Sequence, residues 1–168
     1  WDKPLAEVIC INCGQCIIRC PTGALRANDP RDEIWAAIDD PKKHVVIQTA
    51  PSPRAAICEE FGMEPGHSLT GEMNTALRRI GFDVVFDTNF TADLTIFEEG
   101  TELIIRLYNA LVKKEPVALP QFTSCSPGWV KYLEHFYPEY IDNLSSAKSP
   151  QQMFGALIKT FYAQKKGI

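Results

Sequence analysis

The chain has 168 residues, 45% of them apolar and 23% charged, with a formal net charge of −4; that balance fits a globular protein and excludes disorder. The acidic surplus argues against nucleic acid or an anionic membrane surface as partner. Uncharged apolar runs such as Val45, Val46, Ile47 fall far short of the roughly 20 residues of a membrane span.

Residues 1–30 are short, punctuated by Gly and Pro, and dense in cysteine: Cys10, Cys13, Cys16 and Cys20, against only Cys58 and Cys125 elsewhere. Such a segment cannot build a core and needs a metal cluster as a staple. A secreted disulfide framework would spread its cysteines, so the crowding indicates a metal site in a reducing, cytoplasmic compartment. Residue 1 is Trp with no leader behind it, so the chain reads as cut at its start. Residues 28–43 are polar, with two prolines, and read as a linker around a short helix at 32–39. The run 44–50 is rich in β-branched residues and reads as a buried strand. A helix is expected at 54–61, between Pro53 and Gly62, and another at 71–80, with Met73, Ala76, Leu77 and Ile80 on one face and Gly81 as its stop. Residues 82–87 read as a second strand. Residues 91–112 read as a long helix with an apolar stripe of Leu94, Ile96, Phe97, Leu103, Ile104, Leu107 and Leu111. A third short strand is expected at 116–119, then helices at 127–136 and 150–165, each opened by a proline. Strands alternating with helices predict an α/β lobe with a small, mostly parallel sheet. Ligands of such sheets sit at the carboxyl ends of the strands, here the loops 49–53 and 121–129.

Cys10, Cys13, Cys16, Cys20 and Pro21 form C-x2-C-x2-C-x3-C-P, the bacterial ferredoxin signature for a [4Fe–4S] cluster. A zinc ribbon would need two separated C-x2-C pairs. The fourth cysteine has two readings: Cys20 closes the cluster of the other three, or it ligates a second cluster. The segment Thr123-Ser124-Cys125-Ser126-Pro127-Gly128-Trp129 reads structurally as a turn into a helix, with Ser126 as N-cap and Pro127 at the first position. Its functional reading is a cysteine at a helix start, where the dipole favours an anion. His44, His67 and His135 lack ligand spacing and read as surface or strand-end residues. Cys58 reads as a small buried hydrophobe, and Trp35 and Trp129 as packing residues.

Together the two motifs resemble the [FeFe]-hydrogenases, the iron-only hydrogenases. Residues 50–54, 90–102 and 143–152 are also similar to that family. Residues 123–129 match its Thr-Ser-Cys-Cys-Pro-x-Trp signature except at Ser126. The resemblance implies a ferredoxin-like half-domain at 1–30 (α+β), a linker at 31–43 and the N-terminal lobe of the catalytic domain at 44–168 (α/β). It implies an H-cluster, a [4Fe–4S] cube joined to a two-iron unit carrying carbon monoxide and cyanide. It implies that Cys125 is the last proton donor, that Glu99, Ser145 and Glu102 lead protons in from the surface, and that Pro51, Ser52 and Gln151 contact the two-iron unit. Ser126 stands where the family has its first cube ligand. Serine oxygen is a poor ligand for a soft cluster, so either Ser126 or another group completes the cube. The family's later cysteine motifs do not occur in these 168 residues, so the chain is expected to carry only part of the H-cluster site. The resemblance implies ferredoxin or NAD(P)-linked flavoprotein subunits as electron partners, in the cytoplasm of an anaerobic bacterium.

Three activities compete on these residues. The first is reversible reduction of protons to dihydrogen. The second is a hydrogenase-like carrier, sensor or iron–sulfur assembly protein without that chemistry. The third is a plain ferredoxin, which about 130 further residues argue against. Cys125 with Glu99, Glu102 and Ser145 favours the first, because a carrier has no use for a proton relay.

Overall fold

A computed structural model describes residues 3–168. Its regular elements are helix α1 (Gln15–Arg19), α2 (Arg31–Ile38), strand β1 (Val46–Thr49), α3 (Pro51–Glu60), α4 (Thr70–Ile80), β2 (Val84–Asp87), α5 (Asn89–Tyr108), α6 (Pro127–Phe136), α7 (Pro150–Leu157) and α8 (Ala163–Lys166). A wide π turn, Asn109–Lys113, ends α5, and another, Ile158–Tyr162, joins α7 to α8. The chain divides into two units. One takes the residues up to Asn28 with Thr95–Ser149; the other takes Asp29–Leu94 with Pro150–Ile168. Among the described residues, no helix is long and apolar enough to cross a membrane.

In the second unit β1 and β2 pair in parallel, Val46 opposite Val84 and Thr49 opposite Asp87, with α3 and α4 as the crossover. The strands are shorter than expected at their starts. There the Asp83 carboxylate accepts from Val45 N–H at 2.6 Å, while Asp83 N–H donates to Val45 O at 2.9 Å. Helix α3 begins at Pro51 rather than after Pro53. The first turn of a helix has no intrahelical use for its N–H groups, so both prolines fit inside it. Ala50, held extended before Pro51, is the cap residue. Cys58, Met73, Met153 and Phe154 are the buried apolar side chains of this unit, the Met and Phe side chains each worth about 1.5–3 kcal/mol if fully taken from water. Phe86 of β2 meets Phe154 and Tyr162 edge-on at 5.3 and 5.4 Å. Arg54 of α3 pairs with Asp87 at 2.8 Å and ties the crossover to the end of β2. Burial pushes the Asp87 carboxyl up, but the Asn89 N–H and Arg54 outweigh it and leave it below its ordinary value. Trp35, expected to pack, is half exposed on α2, a helix with no buried residue.

In the first unit Leu133 of α6 and Asn143 are buried, and Asn143 Nδ2 donates to Pro120 O at 2.8 Å. The expected third strand at 116–119 is irregular backbone. Pro116 and Pro120 lack the N–H a ladder needs, and the Ala118 carbonyl is taken by Arg106 Nη1 at 3.1 Å. What forms instead is a single parallel bridge between Phe122 and Leu144. The α5 stripe is largely exposed, with Ile96, Phe97 and Ile104 each about two-thirds or more open to solvent. Trp129 stacks on Tyr132, with ring centroids 6.4 Å apart.

Candidate functional site

The cysteine segment wraps through two residues of left-handed backbone. Asn12 has φ 56°, and Gly14, at φ 73°, caps the start of α1. Only Gly takes that conformation at no steric cost. Cys10 Sγ accepts from Asn12 N–H at 3.4 Å. Cys20 Sγ lies 3.5 Å from Thr22 Oγ1; the Thr22 hydroxyl, then the Leu25 and Thr22 backbones, bring its thiol down to about 7. All four thiols are free, Cys13 and Cys16 exposed, Cys10 and Cys20 half-buried. Among the described residues, no three His, Cys, Asp or Glu side chains converge on one metal ion. A cube differs from a single ion in taking each thiolate on a separate iron, so its ligands stand farther apart. Four soft, reachable donors on one loop fit such a cluster chemically.

The same unit holds the second motif. Ser126 is the N-cap of α6, its Oγ accepting from Trp129 N–H at 3.4 Å, and its own N–H donates to Ser124 Oγ at 3.0 Å. Its hydroxyl therefore serves the helix start. Cys125, one residue earlier, is an exposed free thiol. A groove of about 740 Å³ has Asn12 and Cys13 on one side and Ser126 and Trp129 on the other. Gly128 permits this approach: a Cβ there would come to 3.3 Å from Ile11 O.

Glu102 is the centre of a polar cluster. Ser145 Oγ donates to its Oε2 at 2.6 Å and Ser146 N–H at 3.0 Å, while Arg106 Nη2 donates to its Oε1 at 2.7 Å. Arg106 also donates to the carbonyls of Asp142, Asn143 and Leu144, so one guanidinium fixes both Glu102 and the backbone leading to Ser145. Burial raises the Glu102 carboxyl, but hydrogen bonds from Ser145, Arg106 and Ser146, with the Arg106 charge, outweigh it and hold it below its ordinary value. Glu99, one turn earlier on α5, behaves oppositely: burial, then the charge of Glu102, holds it above its ordinary value. Two neighbouring carboxyls are thus pushed apart, the pattern of a donor and an acceptor. Ser145 and Glu102 are in direct contact; Glu99 and Cys125 share no direct hydrogen bond among the described residues. Gln121 Nε2 donates to the Glu99 backbone carbonyl at 3.1 Å.

The remaining expected residues lie in the second unit. Pro51 and Ser52 are the first two residues of α3, and Pro150 and Gln151 the first two of α7; Pro51, Ser52 and Gln151 are exposed. First-turn N–H groups and the dipole of a helix start suit an anionic ligand. Reading the sequence missed Arg106 and Gln121. The Glu102–Arg106 spacing of four was a legible signal; Gln121 carried none.

The family described as iron-only hydrogenase large subunit, C-terminal domain, matches residues 43–167, and a 4Fe-4S binding domain matches residues 7–26. The NADP-reducing hydrogenase subunit HndD of Solidesulfovibrio fructosivorans is 55% identical over 168 residues, all of this chain and 29% of that protein. A solved [FeFe]-hydrogenase, studied for oxygen inactivation and degradation of the H-cluster two-iron subcluster, superposes with a TM-score of 0.78 at 47% identity. That match covers 84% of this chain and 36% of the other. Cytosolic iron-sulfur assembly component 3 of Pongo abelii is 30% identical over 167 residues, 95% of this chain and 34% of that protein. The chain therefore spans about a third of the length of the relatives it matches.

Proposed function

Because the chain belongs to the iron-only hydrogenase large-subunit family, we propose that the complete protein interconverts two protons and two electrons with dihydrogen, and that this chain supplies an electron-carrying cluster and the proton path. The observation that carries this reading is the 2.6 Å bond from Ser145 Oγ to Glu102 Oε2, beside a Glu99 carboxyl that burial and the Glu102 charge hold above its ordinary value.

Cys10, Cys13 and Cys16 hold a [4Fe–4S] cluster, and Cys20 either completes it or ligates a neighbouring one. The H-cluster, when bound, supplies the centre at which electrons and protons combine. Ser52 and Gln151, with helix-start N–H groups and polar side chains, and Pro51 beside them at the start of α3 would hold its two-iron unit. Glu102 Oε2 takes a proton from solvent and shares it with Ser145 Oγ; Glu99 holds the proton next, and Cys125 Sγ delivers it. The NADP-reducing relative supports an NADP-linked electron route; in this reading the electron partner is a ferredoxin or an NAD(P)-linked flavoprotein subunit, and the protein works in the cytoplasm.

The assembly-component relative supports a second, non-catalytic reading. Cys125→Ala in the complete protein separates the two. Turnover should fall by at least about 10²-fold, the scale of a lost general acid, while the cluster spectra persist. Cys125→Asp, which still carries a proton, should lose less. Near-normal turnover in Cys125→Ala would remove it from the path. No dihydrogen chemistry in the matured native protein would favour the second reading.

A further inference from the structure

Gln121 occupies an unusual place. Its Nε2 donates to the Glu99 backbone carbonyl at 3.1 Å, and that contact fixes the orientation of the amide, because a carbonyl can only accept. The other end, Oε1, is buried and has no hydrogen-bond partner among the described residues. A buried acceptor left unmade costs about 1–3 kcal/mol, so its place in a native fold calls for a donor, and an ordered water is the usual one. The next residue, Phe122, exchanges backbone bonds with the segment carrying Ser145: its N–H donates to Asn143 O, and Ser145 N–H donates to its carbonyl, both at 2.8 Å. Four residues after Gln121, the same loop reaches Cys125. Gln121 thus joins the turn of α5 that bears Glu99 to the loop that ends in Cys125.

We propose that Gln121 is a positioning residue of the proton path: Nε2 holds the Glu99 turn against the Cys125 loop, and Oε1 orients a water that passes the proton from Glu99 to Cys125. This rests on the hydrogenase reading above. The raised Glu99 carboxyl agrees with it, since burial and the neighbouring Glu102 charge ease its taking up a proton in transit. Glu99 and Cys125 have no direct bond, so the step between them needs a carrier, and Gln121 is the polar side chain bonded to the Glu99 turn with an acceptor to spare.

The test is turnover of the complete, matured protein with its solvent deuterium isotope effect. Gln121→Met keeps the length and removes both polar ends. It should slow turnover by about 10- to 100-fold, the scale of an ångström-level misplacement. The isotope effect should rise as proton transfer becomes limiting, with the iron–sulfur spectra unchanged. Gln121→Glu, once protonated, again offers one O–H donor and one carbonyl acceptor. Its turnover relative to the native protein at the same pH should therefore recover as pH falls. Native turnover in Gln121→Met overturns the inference. So does slowed turnover with an unchanged isotope effect and no recovery in Gln121→Glu, the mark of a merely structural residue. Cys125→Ala and Glu102→Gln run in parallel: if they too turn over normally, the proton-path reading itself fails; if they are slow while Gln121→Met is not, only the role of Gln121 falls.

Discussion

Glu99 and Glu102 sit three residues apart on one helix, yet their surroundings push them in opposite directions, and pH should expose this. Glu102 has a folded value below its unfolded one. The stability it contributes is present above the unfolded value and is lost as pH falls through the folded value. Glu99 is raised; its contribution is present below the unfolded value and is lost as pH rises through the folded value. Glu102→Gln should therefore cost about 1–3 kcal/mol at neutral pH, the scale of hydrogen bonds to a charged group, and progressively less as pH falls below ~4, through the depressed folded value. Glu99→Gln should be neutral or stabilising at pH ~8 and lose that advantage in acid. Denaturant midpoints of the complete protein across this range check both, and a Glu102→Gln cost that does not shrink in acid would contradict the assignment. At this scale the sequence was informative only where local spacing carried the contact. The Glu102–Arg106 pair is written in the helix period. The meeting of Glu102 with Ser145, 43 residues away, was legible only through family resemblance, because no local rule brings a loop back to a helix.

Among the elements, α4 and its stop show how strongly one residue can be required. Gly81 has φ 125°, and a Cβ placed on it would lie 2.5 Å from Ile38 Cγ2. Its N–H closes α4 by donating to the carbonyls of Arg78 and Leu77. Gly81→Ala should cost about 1–3 kcal/mol, from backbone strain with a clash added. Gly71, in the first turn of the same helix, has nothing within 4 Å of an added Cβ. Gly71→Ala should be neutral or stabilise by up to about 1 kcal/mol through helix propensity. Thermal unfolding of both variants decides; equal effects would mean the Gly81 contact is absent. The helices were readable because their periods, prolines and glycines act locally, and 127–136 matches α6 residue for residue. The expected strand at 116–119 failed for a non-local reason: whether a short apolar run joins a sheet depends on free ladder groups beside it, and here two prolines and Arg106 have removed them.

For the molecule as a whole, the distribution of ligands separates what this stretch can do from what it cannot. Four cluster cysteines lie within eleven consecutive residues, so their ability to bind iron depends on local chain geometry. The H-cluster is different. On the proposed reading Ser126 stands at the one cube-ligand position of the family in this chain; its hydroxyl caps α6, and the matched relatives are about three times as long. The 168-residue chain alone, reconstituted anaerobically, should therefore take up roughly four irons per chain with the broad visible absorbance of thiolate-bound clusters. Cys13→Ala should abolish that uptake, because the loop then lacks a donor that its neighbours cannot replace. The same preparation should evolve no hydrogen, even after exposure to the maturation machinery. One zinc per chain in place of iron would show that the cysteine loop prefers a tetrahedral ion. Hydrogen evolution by this chain alone would show that the catalytic centre needs far fewer ligands than the family pattern supplies, and the division of labour between the two cluster sites would have to be redrawn.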